Sequence, residues 1–118
     1  MPLTHSPSCL ASLEHYLQSY ARQDLAAVSD LLADDVHLRD WKISVLGKQA
    51  AIEETRKNFA AARSITIDLL HHYEMAHGIA AELRIVVDAV DVLYVVDVVH
   101  FNAQGQIQSI RAYLGRGD

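Results

Sequence analysis

The eleven residues 91–101 constrain the fold more than any other segment, because they are apolar at both parities of a strand. Between Val92 and His100 only Asp97 interrupts the apolar residues. A strand with two apolar faces must be covered on both of them. The segment therefore predicts a sheet with helices on one face, and an outer face that favours a homodimer formed sheet to sheet. The residues expected on that outer face are Val92, Tyr94, Val96 and Val98.

Size and charge limit the classes of function. We expect a single domain over residues 1–118, with residues 1–8 as a flexible polar tail. The ten Lys and Arg residues are scattered in a chain of net charge -5, which argues against a nucleic-acid or anionic-membrane partner. The one cysteine, Cys9, cannot form an internal disulfide, and no segment has the pattern of a signal peptide or a membrane span. We therefore expect a cytoplasmic location.

Three helices are predicted from apolar residues that recur every three or four positions. The first begins at Pro7 and ends near Arg22, the second follows the capping residue Asp24 and ends at the acidic pair 34–35, and the third spans residues 48–63. The inward stripe of the first helix consists of Leu10, Leu13, Tyr16, Leu17 and Tyr20, and that of the third of Ala51, Ile52, Thr55 and Phe59.

Five strands are predicted from β-branched and alternating runs. They cover residues 36–40, 64–77, 79–87, 91–101 and 106–114, and residues 41–47 are predicted to be irregular. Because short turns join the last four strands, they form an antiparallel meander. The whole pattern predicts an α+β fold in which three N-terminal helices pack on one face of a curved antiparallel sheet.

Asp97 is the most informative candidate for chemistry, since it is a lone carboxyl within Val95-Val96-Asp97-Val98-Val99. Burial disfavours the charged form of an acid, so we expect Asp97 to be protonated near neutral pH unless a cation lies beside it. A protonated carboxyl is a hydrogen-bond donor and can stabilise a developing oxyanion.

Two other polar residues share the inner side of the predicted fold. Asp40 has the parity of Val36 and Leu38, and as a half-buried carboxylate it can serve as a general base. Tyr16 lies on the inner stripe of the first helix and supplies a phenol. Taken singly, an inward Asp is often a structural acid bound to backbone amides and an inward Tyr is often core packing. Together with Asp97 they predict one catalytic set.

The remaining predicted contacts are with a small hydrophobic molecule. Apart from the catalytic set, the residues expected to bind it are Tyr20, Trp41, Phe59, Val95, Val99 and Ile110. The seven histidines lack the spacing of a metal site, and the chain has no phosphate-binding glycine loop and no nucleophile elbow. We therefore expect neither a metal nor another cofactor.

Several segments together resemble the SnoaL-like and ketosteroid-isomerase-like members of the nuclear transport factor 2-like superfamily. They are YLQSYARQDL at residues 16–25, LADDV at 32–36, Asp40, HFNAQGQI at 100–107 and RAYLG at 111–115. The resemblance spans nearly the whole chain and implies a cystatin-like cone of helices against a bent sheet, usually dimeric.

Along ketosteroid isomerase, Tyr16 falls at the oxyanion-binding tyrosine, Asp40 at the catalytic base and Asp97 at the acid that is held protonated. The resemblance thus implies the same three roles. Two positions depart from the family pattern: Trp41 replaces a proline after the base and would lie at the mouth of the pocket, and Gln23 replaces a glycine.

Two functions remain open, because one fold of this kind hosts many activities. The first is a cofactor-independent isomerase or cyclase that transfers a proton on a hydrophobic ketone. The alternative is a non-catalytic ligand-binding or protein-interaction dimer. Epoxide hydrolysis would require an arginine between two pocket carboxylates, and Arg111 alternates away from the inner face.

Overall fold

A computed structural model of the chain describes residues 8–117. The predicted tail up to residue 7, including Pro7, lies outside the described residues. The elements, in chain order, are α1 (Cys9–Ala21), α2 (Leu25–Leu31), β1 (Leu32–Arg39), β2 (Ser44–Leu46), α3 (Lys48–Ala60), β3 (Ile65–Met75), β4 (Gly78–Val87), β5 (Asp91–Phe101) and β6 (Ile107–Leu114).

Side-chain caps fix the starts of the first two helices. The Ser8 hydroxyl accepts a hydrogen bond from the backbone N–H of Ala11, and Asp24 does the same for Ala27, at 3.1 Å in both cases. Each cap satisfies a helix N–H that has no partner within the helix. The prediction that Asp24 caps α2 is therefore confirmed. Ser8 caps α1, so the prediction that it belongs to the tail is wrong.

Two predicted helix ends are wrong. Asp34 and Asp35 do not end α2 but lie exposed within β1, where the pairing with β6 is irregular between Leu32 and His37. At such a bulge consecutive side chains reach solvent without breaking the strand. The third helix ends at Ala60 and not at Arg63, with Ala61 as its C-cap.

The sheet has six strands in the order β2-β1-β6-β5-β4-β3. Strands β3 to β6 form the predicted antiparallel meander. Strand β1, however, pairs with β6 in parallel, with Leu38 opposite Ile110, so the sheet is not wholly antiparallel. The stretch that we predicted to be irregular contains β2, which pairs with β1 as a short hairpin. Because β1 and β2 precede α3, the helices do not all precede the sheet.

The helices cover one face of the sheet, with α1 over β3 and β4 and α3 over β1. The core between them is fully buried and includes Leu13, Val28, Val36, Ile79, Leu83 and Val99. The opposite face keeps exposed apolar side chains, among them Val92 at 44% and Tyr113 at 41%. The described helices include none that is long and apolar enough to cross a membrane.

Candidate active site

A pocket of about 360 Å³ opens between the helices and the inner face of the sheet. This volume falls within the range of about 300–1,000 Å³ that is usual for small-molecule sites. The strands supply an apolar wall that includes Leu38, Ile67, Leu83, Ile85, Val95 and Ile110. The polar side chains that line the pocket include Tyr16, Tyr20, Asp40, Thr55, Asn58 and Asp97.

Asp97 reaches this pocket from the middle of β5 and is 8% exposed. Its neighbours across the sheet are Ala81 on β4 and Ala112 on β6, two small residues that leave room beside the carboxyl. Burial raises the pKa of Asp97 to about 7, and the negative charge of Asp40 acts in the same direction. Near neutral pH a large share of the Asp97 carboxyl therefore keeps its proton and can act as a donor.

Asp40 lies in the turn that connects β1 to β2. Its Oδ1 accepts hydrogen bonds from the backbone N–H groups of Lys42 at 2.7 Å and Ile43 at 2.9 Å. Its own N–H donates to the Ile43 carbonyl at 2.9 Å, which closes the turn. Since both side-chain bonds use Oδ1, the carboxylate is held in place while Oδ2 remains for a ligand. Asp40 is thus both a structural acid of the turn and a lining residue of the pocket.

Tyr16 brings its phenol to the same pocket from α1 and is 6% exposed. Burial raises its pKa well above the ordinary value, and the charges of Tyr20 and Asp97 contribute in the same direction. Neither its hydroxyl nor the Asp97 carboxyl is held by a hydrogen bond from another described residue. Both groups are therefore available as donors to a bound ligand.

The family model of the SnoaL-like domain matches residues 13–110. The chain belongs to the SnoaL-like family. Among its relatives, the steroid Δ-isomerase of Nocardioides simplex is 37% identical over 112 residues, which cover 92% of this chain and 90% of the relative.

Solved structures of low identity share the fold of this SnoaL-like protein. A SnoaL-like protein of unknown function from Burkholderia thailandensis superposes with a TM-score of 0.83 at 14% identity, covering 98% of this chain and 100% of the other. An LEH-like epoxide hydrolase from M. tuberculosis superposes with a TM-score of 0.74 at 15% identity, covering 88% and 80%. The fold therefore occurs with more than one chemistry.

In this SnoaL-like chain most of the predicted ligand contacts lie together. Seven line the pocket, namely Tyr16, Tyr20, Asp40, Trp41, Val95, Asp97 and Ile110. Two do not. Val99 is fully buried because β5 runs on from the pocket into the core, and Phe59 packs its ring edge-on against Tyr20, with centroids 4.8 Å apart.

We predicted that Phe59 of α3 contacts the ligand, but other residues of that helix line the pocket. Thr55 and Asn58 of α3 line it three residues apart, and Ala62, which lies beyond the end of the helix, lines it as well. The helical spacing from Thr55 was a usable signal, but an amide on a helix looks like ordinary surface polarity until its partner is known. Among residues 8–117, no group of three or more His, Cys, Asp or Glu side chains is arranged to hold a metal ion.

Proposed function

We propose that the protein is a cofactor-independent isomerase that moves a proton within a hydrophobic β,γ-unsaturated ketone, with a steroid as the leading substrate class. One observation carries the proposal: a buried carboxyl with a pKa raised to about 7 shares an apolar pocket with a second, half-buried carboxylate. A carboxyl that keeps its proton can donate a hydrogen bond to an oxyanion, while a carboxylate in the same pocket can act as the base. The 37% identity to a steroid Δ-isomerase supports the substrate class.

In the proposed reaction Asp40 removes a proton from the carbon between the carbonyl and the alkene. The electrons move onto the carbonyl oxygen, forming a dienolate that accepts hydrogen bonds from Tyr16 and from protonated Asp97. Asp40 then returns the proton to the far end of the dienolate, so the alkene becomes conjugated with the carbonyl and all atoms are conserved. General base catalysis contributes about 10²–10⁴-fold, and an oxyanion donor about 10²–10³-fold.

The shape of the site supports a largely apolar substrate. Beyond the polar groups, the wall is built of Leu, Ile and Val side chains from β3, β4 and β5. Such a wall contributes binding free energy by removing apolar surface from water, roughly 25 cal/mol per Å². Trp41, 40% exposed, lines the same pocket beside Asp40.

The test is turnover of a β,γ-unsaturated ketosteroid, followed by the absorbance of the conjugated product. We expect the wild type to be active, Asp40→Asn to lose about 10²-fold or more in kcat, and the exposed control Asp30→Asn to match the wild type. The proposal is contradicted if the wild type binds the steroid but converts neither it nor any other ketone in a panel of unsaturated ketones. That result would favour a non-catalytic binding protein. An Asp40→Asn variant of undiminished activity would remove Asp40 from the mechanism.

We further propose that two copies associate through the outer face of the sheet. Val92 and Tyr113 are exposed there, and the Arg39 guanidinium lies over the Tyr113 ring at 4.7 Å. The Nη1 atom of Arg39 is buried and has no hydrogen-bond partner among the described residues. An apolar face with an unsatisfied donor is typical of a surface that a second molecule covers.

A further inference from the structure

The hydroxyl of Tyr20 has a donor proton that no described residue accepts. Its oxygen accepts a hydrogen bond from Nδ2 of Asn58 at 3.1 Å. That bond uses a lone pair of the phenol and leaves the phenolic proton free. Asn58 is also the one hydrogen-bonded neighbour that acts on the pKa of Tyr20. Because Tyr20 lines the pocket, this proton is available to a ligand that enters it.

Three contacts fix where this proton can point. Tyr20 follows Tyr16 by one turn of α1, and the two rings lie 5.9 Å apart at 52°. On its other side the Tyr20 ring meets the edge of Phe59 at 4.8 Å. The Asn58 amide, donating from α3, occupies one side of the hydroxyl oxygen. The phenolic proton is thereby directed away from α3, and Tyr16, Tyr20 and Asp97 all line the one pocket.

Electrostatics supports the same grouping. The charge of Asp97 acts on both tyrosines, whereas that of Asp40 acts on Tyr20 and not on Tyr16 among the causes of their raised pKa values. The charges of both pocket carboxyls thus act on Tyr20. A dienolate oxygen has lone-pair density for three hydrogen bonds, and Tyr16 with Asp97 supply two.

We propose that Tyr20 is a third hydrogen-bond donor to the ligand oxygen and that Asn58 is its positioning residue. The proposal deepens the proposed isomerase site and rests on it only for its kinetic consequences. It also narrows the class of ligand. An oxygen that accepts three hydrogen bonds is best supplied by a phenolate or an enolate, because that oxygen carries more negative charge than the oxygen of a neutral ketone. The site therefore discriminates in favour of the charged oxygen.

The probe is 2-naphthol, whose ultraviolet and fluorescence spectra distinguish the neutral from the ionised form. We expect Tyr20→Phe to weaken its binding about tenfold or more and to lower the fraction that is bound as naphtholate. Asn58→Ala should do the same to a smaller extent, because the donor remains but its direction is lost. Tyr73→Phe is the matched control, since the Tyr73 hydroxyl is exposed and donates to Glu82 at 2.7 Å.

The kinetic readout separates the two proposals. If the wild type converts the ketosteroid but Tyr20→Phe binds 2-naphthol as tightly and as ionised as the wild type, the role of Tyr20 is refuted and the isomerase stands. If naphtholate binding depends on Tyr20 while no unsaturated ketone is converted, Tyr20 is supported as a ligand donor and the isomerase is refuted. If Tyr20→Phe shifts the pH profile of kcat/KM but leaves naphtholate binding unchanged, the Tyr20 hydroxyl acts on Asp40 and not on the ligand oxygen. That result would overturn the proposal.

Discussion

Asp40 and Asp97 enter one pocket from different parts of the sheet, and the negative charge of Asp40 adds to burial in raising the pKa of Asp97 to about 7. The two acids are chemically identical, but their surroundings differ. Asp97 has no hydrogen bond from a described residue, whereas Asp40 is anchored by two backbone N–H groups. In the proposed mechanism this difference lets Asp97 donate a hydrogen bond while Asp40 takes the substrate proton.

The raised pKa of Asp97 makes folding stability depend on pH. Below the ordinary value of 3.8 the carboxyl is protonated in both the folded and the unfolded chain; between 3.8 and about 7 only the folded chain keeps the proton. Stability contributed by this group is therefore lost as the pH rises through that window, by up to roughly 4 kcal/mol at about 1.4 kcal/mol per unit.

Asp97→Asn should abolish this contribution, because an amide does not titrate. We expect urea denaturation to show that the unfolding free energy of the variant increases relative to that of the wild type as the pH rises from 5 to 8. Comparing the two proteins at each pH cancels the titration of the other carboxylates. An unchanged difference in unfolding free energy across that range would mean that Asp97 titrates normally.

Gln23 clamps the end of α3 at the cost of backbone strain. Its φ is +56°, in the left-handed region, and its Nε2 donates to the carbonyls of Phe59 and Ala62, both at 3.0 Å. We expect Gln23→Ala, which loses both bonds and keeps the strain, to reduce the unfolding free energy by about 2 kcal/mol. Gln23→Gly relieves the strain and should lie between Ala and the wild type. A higher melting temperature for Gln23→Ala than for Gln23→Gly would contradict this account.

Trp41 is a built-in reporter of the pocket, because it is the only tryptophan of the chain and is 40% exposed. A saturated ketosteroid that fills the pocket should remove water from the indole and shift its emission to shorter wavelength. The shift should persist in Asp40→Asn, whose pocket keeps its shape. Calorimetric binding without any change in emission would place the ligand away from Trp41.

The outer sheet face should hold two copies together. We expect sedimentation at micromolar concentration to show a dimer for the wild type and a monomer for Val96→Lys, which introduces a charge into the middle of that face. Ala26→Lys, on the exposed surface of α2, should remain dimeric. A monomeric wild type would leave the face without the partner that we propose.

Local patterns predicted the parts of the fold that depend on neighbours in sequence. The cap at Asp24 and the bounds of β5 followed from residue type and periodicity, and the parity of Asp97 placed its carboxyl on the inner face. Strand β2 was missed because three residues give too short an alternation to recognise. Its existence depends on the hairpin that Asp40 and Ile43 close.

Long-range pairing could not be derived from the sequence. The parallel contact of β1 with β6 joins residues about 70 positions apart, and nothing local in either strand selects its partner. The same holds for the bond between Tyr20 on α1 and Asn58 on α3, two residues that are 38 positions apart in the chain. The side chains that point inward can thus be predicted from periodicity. The hydrogen bonds across the pocket can be identified only in the assembled fold.

Burial and the charge of Asp40 hold Asp97 partly protonated at neutral pH. Carbon-13 NMR titration of the aspartate carboxyls tests it, with the Asp97 resonance assigned from its absence in Asp97→Asn. We predict a midpoint near 7 in the wild type and a lower midpoint in Asp40→Asn, where the neighbouring charge is gone. A wild-type midpoint near 3.8, or the same raised midpoint in both proteins, would contradict the account.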